Sequence, residues 1–241
     1  VGTANLFVDT VNSRIGIGTV SPGEKLHVNG NIKLLSFACN DYLSLSTDKR
    51  LKEAAHKATT KYGTGSGASR LITGNNPLYY ELENNLSKMK KSEACLVFGS
   101  GFLANLGVIS ALANKNDLIL IDSLSHSSSF LGTKMTMAKV IIFKHNCVQD
   151  LEKKLIKNRK KFNKCMIVTE GVFSMDVDIS PQEEISYLRD KYKALFILDD
   201  AHGLGVLGDG TGSSSIFKKN IKVDIYVGTL SKALGSYGGF I

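Results

Sequence analysis

The chain has 241 residues, of which 43% are hydrophobic, so it can bury one sizeable core and a small additional segment. Its net charge is +8, but no basic run is interleaved with several aromatic residues, which argues against binding to nucleic acid. The four cysteines form no CxxC pair and none has the spacing to a histidine that zinc requires, so no metal is expected and the thiols are expected to be free.

The sequence carries no recognisable secretory signal and no apolar run long enough to span a bilayer. We therefore expect a cytoplasmic protein that has no membrane partner. The chain begins at Val1 instead of methionine and ends at Ile241 inside an apolar stretch. Both ends look cut, and we expect the chain to be a fragment of a longer protein.

Residues 1–32 differ in pattern from the rest of the chain. Short alternating strands are predicted at Leu6–Val8, Ile15–Ile17 and Leu26–Val28, separated by Gly, Asn and Pro turns. The phrases NLFVDT, IGIGT and SPGEKLHVNGNI resemble the repeats of phage tail-fibre shafts and related trimeric β-structures. One partial repeat cannot bury its own apolar face, so we expect this fibre-like segment to be poorly ordered alone and to carry no catalytic residue.

Residues 33–241 are predicted to form an α/β domain. Apolar strand-like runs alternate with amphipathic segments, and this pattern predicts a mostly parallel sheet with helices on both faces. Strands are predicted at residues 94–98, 118–122, 139–143, 165–170, 194–200 and 224–229. Helices are predicted at residues 104–112, 148–162 and 181–192. The densest basic run, residues 153–164, fits the solvent-facing side of the second helix.

Polar side chains follow the predicted strands where those strands end, which is where ligands bind in sheets of this kind. The turn 99–101 lies between a strand and a helix, where free backbone N–H groups suit a phosphate. Asp199 and Asp200 are adjacent, so only one of them can face a ligand from a strand. Each such group alone fits a structural role, but the recurrence at successive strand ends predicts a binding site formed from His126, Glu170, Ser174, Asp199 or Asp200, His202 and Lys232.

From about Phe37 to Ile241 the sequence resembles the α-oxoamine synthases, which are fold-type-I enzymes dependent on pyridoxal 5'-phosphate (PLP). Seven motifs in the family's order carry the resemblance: NDYLSLS (40–46), YGTGSGASRLITGN (62–75), FGSGFLAN (98–105), DSLSHSS (122–128), TEGVFSMD (169–176), DDAHGLGVLG (199–208) and GTLSKALGSYGG (228–239). The resemblance implies the large domain of a fold-type-I PLP transferase, acting as a homodimer with shared active sites. The family's C-terminal small domain, with its carboxylate-binding arginine, is expected to be missing.

The resemblance implies roles for the residues around the cofactor ring. Lys232 would hold the cofactor as a Schiff base and would later move protons at the substrate α-carbon. Asp199 would pair with the ring nitrogen and keep it protonated. His126 would stack on the ring, and Ser174 and His202 would hydrogen-bond its phenolic oxygen.

Other residues would contact the phosphate and the substrates. The resemblance places Asn40 near the substrate carboxylate and Glu170 close to the reacting groups. The phosphate end of the cofactor would contact Ser100, Gly101, Phe102 and Thr229.

The phrases SRLITGN (69–75), DSLSHSS and FKHN (143–146) resemble 8-amino-7-oxononanoate synthases more than 5-aminolevulinate synthases or 2-amino-3-oxobutyrate ligases. At the position of Ser69, aminolevulinate synthases typically have threonine, whereas serine leaves room for the methyl group of alanine. This branch implies decarboxylative condensation of L-alanine with a pimeloyl thioester of coenzyme A or acyl carrier protein. The product would be 8-amino-7-oxononanoate, a biotin precursor.

Two classes of alternative stay open. The protein could be another α-oxoamine synthase: a glycine C-acetyltransferase, a serine palmitoyltransferase-like enzyme or a quorum-signal synthase. Alternatively, it could be a non-catalytic chimeric fragment, which residues 1–32 favour. The set of Asp199, His202 and Lys232 favours an enzyme.

Overall fold

The computed structural model describes residues 7–11, 13–17, 26–28, 38–219 and 221–241. Internal contacts divide the chain into two compact units, residues 1–39 and 40–241. In the first unit a short sheet joins β1 (Phe7–Asp9) antiparallel to β2 (Arg14–Ile17), and β2 in parallel to β3 (Leu26–Val28). These strands lie where the alternating pattern predicts them, although Leu6 lies outside the described residues.

A seven-stranded sheet forms the second unit, in the order β4-β10-β9-β8-β7-β5-β6. The strands from β5 to β9 are parallel, while β10 is antiparallel to both β9 and β4. Six strands therefore run in one direction and end at the same edge, which we call the carboxyl edge; the opposite edge is the amino edge. The strands are β4 (Val97–Phe98), β5 (Leu118–Asp122), β6 (Lys139–Phe143), β7 (Cys165–Glu170), β8 (Leu195–Asp199), β9 (Ile225–Thr229) and β10 (Gly239–Phe240).

Six α-helices accompany this sheet in residues 38–219. Two begin at side-chain caps that are typical of helix starts: Asp48 accepts from the backbone N–H of Arg50, and Asn76 accepts from the backbone N–H of Leu78. Pro77, directly after Asn76, fits the first helical turn because it needs no N–H donor there. The helices are α1 (Lys49–Tyr62), α2 (Pro77–Lys90), α3 (Gly101–Leu112), α4 (Ser127–Lys134), α5 (Val148–Asn158) and α6 (Gln182–Tyr192). None of these described helices is long and apolar enough to cross a membrane.

Both faces of the central strands are buried, which explains their continuous apolar sequence. Alternate residues point to opposite faces, and each fully buried Leu, Ile or Phe contributes about 1.5–3 kcal/mol to stability. One face packs on α5 and α6 through Leu118, Leu120, Ile167, Phe196, Leu198, Leu151, Leu155, Ile185 and Leu188. The other packs on α3 through Ile119, Ile121, Met166, Val168, Ile197, Ala104, Val108 and Ile109.

Several boundaries differ from the sequence predictions. The strand predicted at 94–98 is confined to Val97–Phe98, where it pairs with β10 alone. The helix predicted from residue 104 begins at Gly101, because Ser100 Oγ accepts from the backbone N–H of Leu103 at 3.1 Å. The helix predicted to reach residue 162 ends at Asn158 and continues as a 3₁₀ turn, Arg159–Lys161. α1, α2 and α4 were not predicted, and α1 buries no side chain that would give it an apolar stripe.

Candidate active site

Most of the predicted site residues converge at the carboxyl edge. β7 ends at Glu170 and β8 at Asp199, and these two residues are direct partners across the sheet. β9 ends at Thr229, and the turn that follows carries Lys232. The segment after β5 leads to His126, the N-cap of α4. Residues that are far apart in the sequence therefore meet because parallel strands end at one edge.

Lys232 heads a chain of polar contacts. Its Nζ lies 2.7 Å from Nε2 of His202, whose Nδ1 lies 2.7 Å from the hydroxyl of Tyr42. That hydroxyl donates to Oδ1 of Asn40 at 3.0 Å. Because Tyr42 directs its proton to Asn40, His202 donates from Nδ1 and accepts at Nε2 from the lysine amine.

Burial shifts both members of this contact toward their neutral forms. It lowers the pKa of His202 to about 4, with a smaller contribution from the charge of Lys232, so the ring is neutral at pH 7. Burial also lowers the pKa of Lys232, against the opposing charges of Asp199 and Glu170. An amine with a lowered pKa exists more often in its neutral, nucleophilic form.

Asp199 and Asp200 occupy different environments. Asp199 is buried and accepts from Nδ2 of Asn105 at 2.6 Å, and its charge acts on Lys232. Asp200 accepts from the backbone N–H of Ser213 at 2.9 Å and lies 3.5 Å from Nζ of the buried Lys90. Asp199 is thus the carboxylate beside the candidate site, and Asp200 is the counter-charge of a buried lysine.

Glu170 is a buried carboxyl beside a second carboxylate. It is 3% exposed, and its burial, together with the charge of Asp199, raises its pKa to about 8. Backbone N–H groups of His126 and Ser174 and the charge of Lys232 oppose this shift. Its Oε1 has no hydrogen-bond partner among the described residues. Glu170 is therefore protonated at pH 7 and has an oxygen available for a ligand.

His126 is held in place by the start of α4. Its Nδ1 accepts from the backbone N–H of Ser128 at 3.2 Å and lies 2.6 Å from the hydroxyl of Ser128. The Ser128 hydroxyl accepts a hydrogen bond from Nδ2 of Asn105, and the same Nδ2 also donates to the Asp199 carboxylate. Asn105 therefore links His126 to Asp199. Ser174 is exposed and follows Glu170 in the loop after β7, where its backbone N–H slightly opposes the rise in the pKa of Glu170.

The start of α3 packs closely against the end of β9. A Cβ at Gly101 would lie 3.3 Å from the Cβ of Thr229, and a Cβ at Gly239 would lie only 2.3 Å from the nitrogen of Gly101. The first turn of α3, which includes the 42% exposed Phe102, therefore lies beside the Thr229 side chain. Helix N-termini of this kind suit an anion.

Ser69 does not join the cluster in the described residues. It is exposed, and its carbonyl accepts from the backbone N–H groups of Ile72 at 3.1 Å and Gly74 at 2.9 Å. Its neighbour Arg70 forms a bidentate ion pair with Glu83 of α2. The segment is thus fixed to α2, while Ser69 itself faces solvent.

Sequence reasoning missed three residues of this region: Asn105, Tyr42 and Lys90. Asn105 is 2% exposed within an otherwise apolar helix, so a buried asparagine in the FLAN phrase was a usable signal. Tyr42 lies in the NDYLSLS motif, but only the fold brings it to His202. Lys90 ends an amphipathic helix, where nothing in the sequence distinguishes it from a surface lysine.

Comparisons with known proteins show the family of the chain. Residues 32–241 match the family model described as aminotransferase class I and II. The chain is 47% identical to the 8-amino-7-oxononanoate synthase of Beijerinckia indica over 87% of its length, and 46% identical to that of Methylocella silvestris over 90%. These matches cover 54% and 62% of the two relatives, so the chain spans little more than half of their length.

Solved structures are similar over the same part of the chain. Serine palmitoyltransferase from Sphingomonas wittichii gives a TM-score of 0.80 at 35% identity, over 84% of this chain and 51% of that one. Serine palmitoyltransferase from S. paucimobilis, with a bound PLP–myriocin aldimine, gives 0.81 at 33% identity, over 84% and 52%. The 8-amino-7-oxononanoate synthase of Francisella tularensis gives 0.69 at 32% identity, over 85% and 56%.

Proposed function

Because the chain belongs to the aminotransferase class I and II family, and within it to the α-oxoamine synthases, we propose that the whole protein is a PLP-dependent acyltransferase that makes 8-amino-7-oxononanoate. The family resemblance and the α/β fold predicted from the sequence are both confirmed. The observation that carries the proposal is the 2.7 Å contact of the Lys232 amine with neutral His202, beside the buried carboxylate of Asp199.

The residues at the carboxyl edge fit PLP. The free Oε1 of the buried Glu170 and the glycine-lined start of α3 are features that a bound polar ligand would complete. The Lys232 amine would bind the cofactor covalently, and Asp199 would face its ring nitrogen. The other contacts would come from His126, Ser174 and His202 at the ring and from Ser100, Gly101, Phe102 and Thr229 at the phosphate.

PLP, when bound, supplies an electron-withdrawing ring that stabilises negative charge at the α-carbon of an amino acid. The protein supplies a base and its orientation. Burial leaves the Lys232 amine able to accept a proton, and the neutral His202 ring positions that amine by accepting its hydrogen bond. Asn105 holds the Asp199 carboxylate in place, and protonated Glu170 avoids a second negative charge beside it.

The substrates proposed are L-alanine and a pimeloyl thioester of coenzyme A or acyl carrier protein. The names of the relatives support the product, and Asn40, in contact with Tyr42 beside His202, is suited to a polar substrate group. Ser69 is proposed to favour alanine over glycine, but it lies apart from the cluster in this chain. This role therefore requires that Ser69 contacts the site of a second subunit or a further segment of the protein. We propose a homodimer for the same reason.

A second candidate function is acyl transfer from a longer acyl thioester, as in a serine palmitoyltransferase-like enzyme. The observation in its favour is the higher TM-score of the serine palmitoyltransferases, 0.80, than of the Francisella tularensis synthase, 0.69. The 47% identity to the Beijerinckia indica 8-amino-7-oxononanoate synthase, against 32–35% for the three solved structures, favours the first function.

Borohydride reduction after addition of PLP tests the cofactor assignment directly. Peptide mapping should find the cofactor on Lys232, and Lys90 is the internal control because burial also lowers its pKa. Covalent cofactor on Lys90 or on another lysine would contradict the assignment. Release of labelled carbon dioxide by the full-length protein, with L-alanine, glycine or serine and with pimeloyl, acetyl or palmitoyl thioesters, then separates the two candidate functions.

A further inference from the structure

His145 lies between two loops that carry candidate site residues. It follows β6, and its Nδ1 lies 2.9 Å from Oδ1 of Asp122 while its Nε2 lies 2.8 Å from Oδ2 of Asp178. A neutral imidazole has only one N–H and can donate to only one of these carboxylates. Both contacts are hydrogen bonds only when the ring is protonated.

The Asp122 end of this contact holds the segment that leads to His126. Asp122 is fully buried, and its Oδ1 also accepts from the backbone N–H of Leu124 at 2.9 Å. Its Oδ2 accepts from the backbone N–H of Asn146 at 2.9 Å. The carboxylate therefore ties the end of β5 to the segment after β6.

The Asp178 end holds the loop that contains Ser174. Asp178 accepts from Nδ2 of Asn146 at 2.6 Å, and its carbonyl accepts from the backbone N–H of Phe173 at 3.0 Å. The Phe173 ring meets His145 edge to face, with 4.4 Å between the ring centres. The loop after β7 is thus fixed to His145 by a charge and by an aromatic contact.

We propose that His145, in its protonated form, is a positioning residue that ties the loop after β5 to the loop after β7 and so holds His126 and Ser174 around Glu170. The inference rests on the proposed function, in which these residues surround the cofactor. Its physical basis is that one imidazole ring contacts Asp122, at the end of the strand that leads to His126, and Asp178, in the loop that contains Ser174. Two charge-assisted hydrogen bonds from one ring fix the separation of those loops.

The charges around His145 determine the sign of its pH dependence. Burial by itself lowers the pKa of His145, but the hydrogen bonds with Asp122 and Asp178 outweigh burial and raise the pKa above its ordinary value. On the α5 side, Asp150 accepts from the backbone N–H of Lys144 at 2.8 Å and pairs with Lys154. The contact between the loops is therefore complete at low pH and is lost as pH rises through the raised pKa.

Nuclear magnetic resonance of the 241-residue chain without cofactor tests the tie between the loops. The amide resonances of His126 and Ser174 should shift with the same midpoint as the C2 proton of His145. His145→Gln should abolish this step, and His56→Gln, on the exposed α1, should retain it. Asp178→Asn, which removes one half-exposed carboxylate, should lower the midpoint. Amides that do not follow His145, or that keep the step in His145→Gln, would overturn the proposal.

The affinity for PLP supplies a second measurement. If His145 had only a structural role, the ratio of the PLP affinities of His145→Gln and the wild type would not depend on pH. At pH 6, His145→Gln should weaken PLP binding on the order of tenfold relative to the wild type, while His56→Gln binds normally. This ratio should approach one above the pKa of His145, because the wild type has then lost the same contact. A ratio that is constant with pH contradicts the positioning role. Absence of PLP binding by the wild type contradicts the proposed function instead, and the amide titration still decides the role of His145.

Discussion

The two edges of the sheet use charged residues in opposite ways. At the amino edge, Asp224 accepts from the backbone N–H of Phe196 at 2.7 Å and from Nε of Arg189 at 2.8 Å. Hydrogen bonds with Asp224 and Asp190 raise the pKa of Arg189, because both carboxylates favour its charged form. Asp224 thus binds both a charged side chain and the backbone near the start of β8.

At the carboxyl edge the charges are weakened instead. Burial lowers the pKa of Lys232, lowers that of His202 to about 4 and raises that of Glu170 to about 8. Burial favours the neutral form of each of these groups, a pattern common at functional sites, whereas ion pairing at the amino edge favours the charged form of Arg189. The amino edge and the carboxyl edge therefore differ in how their charged groups are paired, more than in how many they contain.

The largest expected effect comes from the two adjacent aspartates. With PLP bound, Asp199→Ala should reduce α-proton exchange from L-alanine on the order of a thousandfold, because no carboxylate would face the ring nitrogen. Asp200→Asn should keep exchange within a few-fold but lose about 3–5 kcal/mol of stability, because it leaves buried Lys90 without its counter-charge. Proton exchange by nuclear magnetic resonance and unfolding in urea measure the two effects. Near-normal exchange in Asp199→Ala would show that another group serves the nitrogen.

Glu170 should make stability depend on pH. Its pKa rises from 4.5 to about 8 on folding, so the native state binds the proton more tightly and stability falls as pH increases between these values. Glu170→Gln should remove that fall, which is on the order of a few kcal/mol. Urea unfolding from pH 4 to pH 9 measures it, and Glu93→Gln, at an exposed position, is the control. The same slope in Glu170→Gln as in the wild type would contradict the shift.

A smaller effect is expected at the amino edge. Asp224→Asn removes the charge that faces Arg189 and weakens the bond to the Phe196 N–H, so stability should fall by about 1–3 kcal/mol. Affinity for PLP should stay within twofold, because β8 and β9 place the site at their other ends. Thermal unfolding and a PLP titration measure these two quantities. If Asp224→Asn weakened PLP binding without a loss of stability, the amino edge would affect the site at the carboxyl edge, against this prediction.

The smallest effect should follow deletion of residues 1–32. The predicted site residues all lie beyond that segment, so the affinity for PLP should not change. Titration of the shortened and the 241-residue chains with PLP measures this. A large loss on deletion would count against two separate parts in the chain.

Strand positions were predicted well where both faces of the sheet are covered. β5, β6 and β7 have the predicted bounds. A strand that is covered on both faces has a continuous run of apolar residues, which is easy to recognise in a sequence. β4 and α1 were predicted poorly or not at all, since an edge strand with one partner and a helix with no buried side chain leave little pattern. Ser69 was assigned from resemblance alone and lies apart from the other site residues in this chain.

The sequence by itself determined the family, the parallel sheet and the set of polar residues that end its strands, because motif order and apolar runs are local properties of the chain. Only the tertiary structure decided the different environments of Asp199 and Asp200, since these depend on where Asn105 and Lys90 lie. It also decided the direction in which each pKa is shifted. A pKa depends on burial and on neighbours distant in sequence, and these exist only when the chain is folded.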